Sequence, residues 1–176
     1  WLYLAFVAFM VISFSNTVNL TDGLDGLAAG TIMIVMLVFA AIAFAQDNLE
    51  LALFAATVAG ACLGFLWYNS FPADIFMGDT GSLGLGAVIA TLAVVTKTEL
   101  LSPLLGGIYV AEGLSVLLQV ASFKLTGKRI LRMAPLHHHY EMKGWSETKV
   151  MVRFWIVTGI LAGAGFALWF VTKAGV

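Results

Sequence analysis

Asn16, Asn19, Asp22 and Asp25 recur at three-residue intervals in a chain that is otherwise mostly apolar. On a helix each successive pair would share nearly one face. Gly23 and Gly26 loosen the backbone, so a helix end fits the spacing equally well. A cap or a turn explains one such Asp or Asn, but not four amides and carboxylates together. A second polar island, Gly78 to Ser82 with Asp79 and Thr80, follows Phe76 and opens an apolar run. Asp79, Thr80 and Ser82 have side chains that cap helices, and a helix N-terminus also offers N–H groups and positive dipole to an anion. A carboxylate beside a bound phosphate calls for Mg²⁺, which prefers oxygen ligands and is held by one or two carboxylates plus phosphate oxygens. Phe76 can stack on a base or sit in an interfacial aromatic belt. The third island holds the chain's three histidines, His137, His138 and His139. Consecutive side chains diverge, so at most two are expected at a common site, where imidazole can bind metal or phosphate or move a proton. Oxygen-rich surroundings favour Mg²⁺ over zinc. The chemistry expected is that of a phosphate-bearing substrate held through a metal ion.

Membrane spans must position these groups. The chain is 61% hydrophobic and 11% charged, with a mean hydropathy of +0.97, which excludes a soluble domain. Runs of about 18 apolar residues meet the length needed to cross a hydrocarbon core. Six spans are predicted, roughly at 1–16, 26–45, 51–68, 82–96, 101–123 and 153–172. The fold class expected is therefore an all-α polytopic integral membrane protein, one transmembrane helical domain over 1–176, with no separate soluble domain. The first span lacks an initiator Met, flanking charges and the basic region of a signal peptide, so the chain is expected to be the C-terminal part of something longer.

Charge distribution orients the spans. Lys124, Lys128, Arg129, Arg132, Lys143, Lys149 and Arg153 lie in one stretch, and only Lys97 and Lys173 lie elsewhere. Positive residues in short loops mark the cytoplasmic side. Counting across spans puts the loops near 17–25, 69–81 and 124–152 on that side, and those at 46–50 and 97–100 outside. All three polar islands then share the cytoplasmic face. The basic residues from Lys124 to Arg132 serve orientation and can also hold anionic lipid.

The remaining features carry less chemistry. Cys62 lies inside an apolar span and reads as a small buried hydrophobe. The pairs Gly26/Gly30, Gly60/Gly64 and Gly159/Gly163 read as helix packing. The Gly81–Gly86 run lacks a preceding strand and the order of a dinucleotide fingerprint. Glu112 sits mid-span, either facing a cavity or partner, or protonated and bonded to a neighbouring helix. Pro103 and Gly106-Gly107 before it permit a kink or a broken helix.

The motifs Asn19-Leu-Thr-Asp-Gly-Leu-Asp-Gly26, Phe76-Met-Gly-Asp-Thr-Gly-Ser82 and Met133-Ala-Pro-Leu-His-His-His-Tyr-Glu-Met-Lys-Gly-Trp145 closely resemble the phospho-N-acetylmuramoyl-pentapeptide transferase family. The likeness runs from the first span to Arg153-Phe-Trp-Ile156. The first two motifs are shared across the polyprenyl-phosphate sugar-1-phosphate transferase superfamily, whereas the triple-histidine stretch marks the muramoyl-pentapeptide branch. The resemblance implies Mg²⁺-dependent transfer of phospho-MurNAc-pentapeptide from UDP-MurNAc-pentapeptide to undecaprenyl phosphate, giving lipid I and UMP in peptidoglycan synthesis. It further implies a roughly ten-helix bundle in the bacterial inner membrane, with membrane lipid around it, a homodimer among the possible assemblies, and no nucleic-acid partner.

By position, Asp79 matches the family's metal-binding, catalytic aspartate, and His137, His138 and His139 match its catalytic histidine motif. Phe76 and Gly78 match nucleoside-contacting positions, with Asn19, Asp22, Asp25, Asn69 and Gln119 lining the same cleft. One departure is large: the family's earlier half carries an adjacent Asp-Asp pair, and no such pair occurs in these 176 residues. Two alternatives stand beside this reading. One is a UDP-GlcNAc-1-phosphate transferase of the same superfamily. The other is a transporter or channel built around Glu112 and Asp79.

Overall fold

The computed structural model describes residues 1–174, and all the regular structure among them is helical. The elements are α1 (Leu2–Thr21), α2 (Leu27–Ala45), α3 (Leu49–Asn69), α4 (Gly78–Val95), α5 (Ser102–Leu105), α6 (Gly107–Thr126), α7 (Leu136–Glu141) and α8 (Glu147–Ala174). Six of the helices are long and apolar enough to cross a membrane. The chain is an all-α, polytopic membrane protein.

The centre of the bundle is α2, whose Leu27, Ile32, Val35, Met36, Phe39 and Ile42 are inaccessible. It packs on α3 and α8, while α1 packs on α4 and α6. Lipid is as apolar as a leucine surface, so helices associate through close packing rather than burial from water. Glycines set that packing. A Cβ at Gly86 of α4 would meet the Phe14 carbonyl oxygen at 2.4 Å and the Ser15 Cα at 2.6 Å. Only glycine lets these two backbones approach so closely. The Ser15 hydroxyl then donates across the crossing to the Leu83 carbonyl at 2.7 Å.

Several predicted boundaries are corrected. The first span extends through Thr21 because its polar residues are satisfied inside the helix: Asn16 Nδ2 donates to the Ile12 carbonyl at 2.8 Å and the Thr21 hydroxyl to that of Thr17 at 2.7 Å. Asn16 and Asn19 therefore lie on a helix, not on a loop. The third starts at Leu49, where the Asn48 side chain accepts from the Leu51 N–H at 3.1 Å. The fourth starts at Gly78 and the sixth at Glu147. The fifth is broken at Gly106, with Pro103 in the first turn of α5. Gly106 is required there by α1, since its Cβ would lie 2.7 Å from the Phe14 ring.

The glycine pairs divide. Gly30 faces the Trp155 indole, where a Cβ would sit 2.1 Å from the ring. Gly60, Gly64, Gly159 and Gly163 meet nothing within 4 Å, so within this chain those pairs do not mark contacts. Cys62 is buried, as expected.

The two ends of the bundle differ. At one, Gln46 Nε2 donates to the Thr96 carbonyl, Lys173 Nζ to that of Ala45, and the Tyr3 hydroxyl to Glu99, at 2.8, 2.9 and 2.7 Å. At the other, the turns after α1 and α3 meet α7. Alternate connections thus gather at the same end, as the span count requires.

Candidate active site

Three connections converge at this second end, and their backbones are fastened to one another. The Asp25 carboxylate accepts from the Ala73 N–H at 2.9 Å. Asn69 accepts from the Gly26 N–H at 3.1 Å and donates to the Ile75 carbonyl at 2.8 Å. Asp25 and Asn69 thereby tie the turn after α1 to the segment between α3 and α4. The Trp155 indole N–H reaches the Gly26 carbonyl at 3.2 Å and brings α8 to the same turn.

Above this scaffold, α1 ends where α4 begins. Asn19 Nδ2 lies 2.9 Å from Asp79 Oδ1 and 2.9 Å from the Ser82 hydroxyl oxygen, so one amide fixes the carboxylate against α4. The sequence had allowed Asp79, Thr80 and Ser82 to cap α4, but Met77 occupies the cap position and makes no side-chain cap bond. Asp79 is held sideways by Asn19, and the Ser82 hydroxyl donates to the Gly78 carbonyl at 3.0 Å. The first N–H groups of the helix stay open beside an exposed carboxylate. Gly78 takes φ +66° there, a left-handed backbone that favours glycine although nothing crowds its Cβ position.

Asp22 stands just past the end of α1, partly buried. Burial first, and then the Asp79 carboxylate, push its carboxyl up to about 6. Two carboxylates thus share a corner in which, among the described residues, neither has a basic side chain as an ion-pair partner. Among the described residues no three His, Cys, Asp or Glu side chains are grouped to hold a metal ion.

The histidines diverge, as consecutive residues on the short helix α7 must. His137 is fully buried, with Nδ1 3.1 Å from Glu112 Oε1. Its Nε2 has no hydrogen-bond partner and lies directly under Gly23, whose Cβ would sit 2.4 Å away. His138 pairs through Nδ1 with Glu141, its ring 4.2 Å from that of His137. His139 Nδ1 accepts from the Arg132 N–H at 3.1 Å. Partial burial, then Lys143 and Arg132, hold His139 below the ordinary imidazole value.

The other expected site residues are placed differently. Phe76 is exposed and free to stack. Gln119 is committed to backbone: its Oε1 accepts from the Ile130 and Leu131 N–H groups at 3.0 and 2.9 Å, and its Nε2 donates to the Leu131 carbonyl at 3.0 Å. Thus Asn19, Asp22, Asp79 and His137 of the expected set gather near the turn at Gly23, while Asp25, Asn69 and Gln119 hold backbone.

Sequence reasoning read Ser82 only as a helix cap and missed its bond to Asn19, and it left the part played by Glu112 open. The Glu112 carboxylate accepts from the Leu136 and His137 N–H groups at 2.7 and 3.2 Å, so a buried residue of α6 caps α7. Glu112 is thus bonded to a neighbouring helix, and that helix is the one that carries the histidines. A sequence signal did exist for the stack that anchors α7. Trp145, Lys149 and Arg153 are four apart, and Trp145 lies 4.5 Å from Tyr140 with the Arg153 guanidinium 4.2 Å over its ring.

Comparison with known proteins agrees with this geometry. Over 169 residues the chain is 52% identical to the phospho-N-acetylmuramoyl-pentapeptide-transferase of Rubrobacter xylanophilus, covering 96% of this chain and 51% of that protein. It is 56% identical over 165 residues to the transferase of the same name from Shouchella clausii, covering 94% of this chain and 51% of the relative. To that of Mycobacterium tuberculosis it is 50% identical over 186 aligned positions, covering 96% and 52%. The chain spans about half the length of the curated relatives it matches. Residues 1–97, which carry Asn19, Asp22 and Asp79, match the model of the glycosyl transferase family 4, and the chain belongs to that family.

Proposed function

We propose that this chain carries the nucleotide- and metal-binding part of an enzyme that transfers phospho-MurNAc-pentapeptide from UDP-MurNAc-pentapeptide to undecaprenyl phosphate. The acceptor phosphate oxygen bonds to the sugar-linked phosphorus, the bond from that phosphorus to the bridging oxygen breaks, and UMP leaves with the electron pair. The observation that carries this reading is the Asp79 corner: an exposed carboxylate held by Asn19 at 2.9 Å, Asp22 nearby, and the open start of α4.

That donor set suits Mg²⁺. Two carboxylates with no basic partner repel each other, and burial adds to the cost of charging Asp22. Magnesium takes one or two carboxylates and completes its shell with phosphate oxygens and water, so Asp79 and Asp22 are the residues that would hold it. When bound, the ion would neutralise the pyrophosphate and stabilise the departing UMP. Asn19 and Ser82 hold Asp79 in place, and Phe76 offers a face to the uracil. His137, fully buried, sets its unpartnered Nε2 beneath Gly23 and so supports the turn that carries Asp22.

An apolar groove of about 460 Å³ between α1 and α6 supports a prenyl acceptor. Phe6, Phe9, Phe14, Leu114 and Leu117 line it, and it ends at Asn16 and Leu20 beside the corner. The basic stretch supports a site on the cytoplasmic face of a bacterial membrane. The reading is tested in the full-length protein by UMP release from UDP-MurNAc-pentapeptide against UDP-GlcNAc. Turnover of UDP-GlcNAc alone would assign the sister activity of the superfamily.

A further inference from the structure

Contacts between α1 and the α5–α6 pair are in register. Tyr3 bonds Glu99, Phe14 abuts Gly106, and Thr17 abuts Gly113. The helices are therefore parallel, and the level at which α1 ends corresponds to about Leu117 on α6. The last nine residues of α6, 118–126, extend past the end of α1 by about 13 Å at about 1.5 Å per residue.

This overhang is amphiphilic. Leu118, Val120, Phe123 and Leu125 are exposed there. Beside them is a cavity of about 470 Å³, closed on the far side by the 129–134 segment. Gln119 fixes that segment through its three backbone hydrogen bonds, and the Ser122 hydroxyl donates to the Lys128 carbonyl at 2.9 Å. The cavity is thus bounded by pinned backbone.

Its chemistry is divided. Lys124, Arg129 and Arg132 bring three cations to the lining, and Val116, Val120 and Phe123 supply an apolar strip. Those three apolar positions are four and three residues apart, hence on one helix face. Arg132 is steadied by a 2.7 Å hydrogen bond from a guanidinium nitrogen to the Met142 carbonyl. Among the described residues the only ion pairs are His137–Glu112 and His138–Glu141, so no carboxylate answers these three cations. Unpaired cations around a pocket whose wall continues as exposed hydrocarbon match a ligand with an anionic head and an apolar tail.

We propose that this cavity binds an anionic membrane phospholipid, its phosphate among Lys124, Arg129 and Arg132 and its hydrocarbon along Val116, Val120 and Phe123. A free phosphate would satisfy the cations and leave the strip and the overhang exposed to water. A zwitterionic lipid would satisfy the strip and bring an ammonium group against three positive charges. Its lining includes none of Asn19, Asp22, Asp79 and Ser82, and the proposal does not depend on the transferase reading.

The test is lipid retention. The full-length protein, purified in detergent, is titrated with phosphatidylglycerol or phosphatidylcholine, and bound lipid is counted by native mass spectrometry. Phosphatidylglycerol is expected to be retained in preference to phosphatidylcholine and to resist excess inorganic phosphate. The double variant Lys124→Gln/Arg129→Gln is expected to lose that preference by roughly tenfold or more, as removal of two interfacial charges predicts. It leaves Arg132, and with it the Met142 contact, intact. Lys128→Gln removes a charge of the same stretch that does not line the cavity, and should retain phosphatidylglycerol. Equal retention of the two lipids, displacement by inorganic phosphate, or equal loss in Lys128→Gln would each overturn the proposal. Melting temperatures of the variants identify any that fail to fold. If the double variant unfolds, Arg129→Gln alone must weaken phosphatidylglycerol more than Lys128→Gln does, and the absence of that difference counts against the site.

Discussion

Glu112 and His137 are both completely buried, and they join an interior helix to the histidine helix: Nδ1 of His137 lies 3.1 Å from Oε1 of Glu112. The same carboxylate receives the first two N–H groups of α7, so one side chain fixes both the start of that helix and the imidazole. With Nδ1 engaged, only Nε2 points toward the turn at Gly23. Replacing Glu112 with Ala would leave the Leu136 and His137 N–H groups and the His137 Nδ1 without their partner, and a buried unmet polar group costs about 1–3 kcal/mol. The expected result is a lower melting temperature in detergent and a strong loss of UMP release. Glu112→Gln should be milder in melting, since the amide oxygen still accepts from backbone. Equal melting for wild type and Glu112→Ala would show that the cap does not hold α7.

Asp79 should be the most sensitive carboxylate in turnover. If it is one of very few protein ligands of the metal, Asp79→Asn should lower the rate by about two to three orders of magnitude, the range for losing one preorganised charge-stabilising group. Asn19→Ala acts on the same carboxylate through its orientation and should cost less. Near-normal turnover and Mg²⁺ dependence in Asp79→Asn would sink the assignment.

The Asp22 carboxyl, pushed from 3.8 to about 6, favours its protonated form in the fold. Its contribution to stability is therefore complete below about pH 4 and is lost as pH rises through about 6. In chelator, melting temperature should carry a component that falls between about pH 4 and pH 6. Asp22→Asn should remove that component, and Asp79→Asn should reduce it. Mg²⁺ should offset it at pH 7, because a cation favours the ionised pair. An unchanged pH slope in Asp22→Asn would contradict this account.

Gly86→Ala tests the crossing that aligns α1 with α4. The added methyl meets backbone at 2.4 Å and 2.6 Å, which no rotamer can relieve. Overpacking of this kind costs about 1–3 kcal/mol. Because α1 and α4 carry Asn19 and Asp79, turnover should fall with stability. Gly84→Ala, where nothing lies within 4 Å, is the control and should be close to silent.

The 176-residue segment expressed alone should not turn over. It lacks the adjacent Asp-Asp pair of its family resemblance, and it spans about half the length of its relatives. Residual uridine nucleotide binding measured by calorimetry is compatible with that expectation. Turnover comparable to the full-length protein would place the missing acid–base role in Asp22, Asp25 or the histidines.

Composition and span length alone determined that this is a helical membrane protein with its polar motifs at one end, because every backbone group in lipid must be satisfied inside a helix. The break before Glu112 was legible too, since Pro103 and the Gly106-Gly107 pair permit one. What each polar side chain does was decided by tertiary structure. Asp79 looked like a cap in sequence, yet it is held sideways by Asn19, sixty residues earlier, across a crossing that Gly86 makes possible. Asp25, Asn69 and Gln119 share the polarity of a cleft but spend their hydrogen bonds on backbone from other segments. Glu112 reads as an isolated charge until the fold brings the start of α7 to it. These pairings join residues distant along the chain, so local spacing cannot specify them; they exist only once the helices are packed.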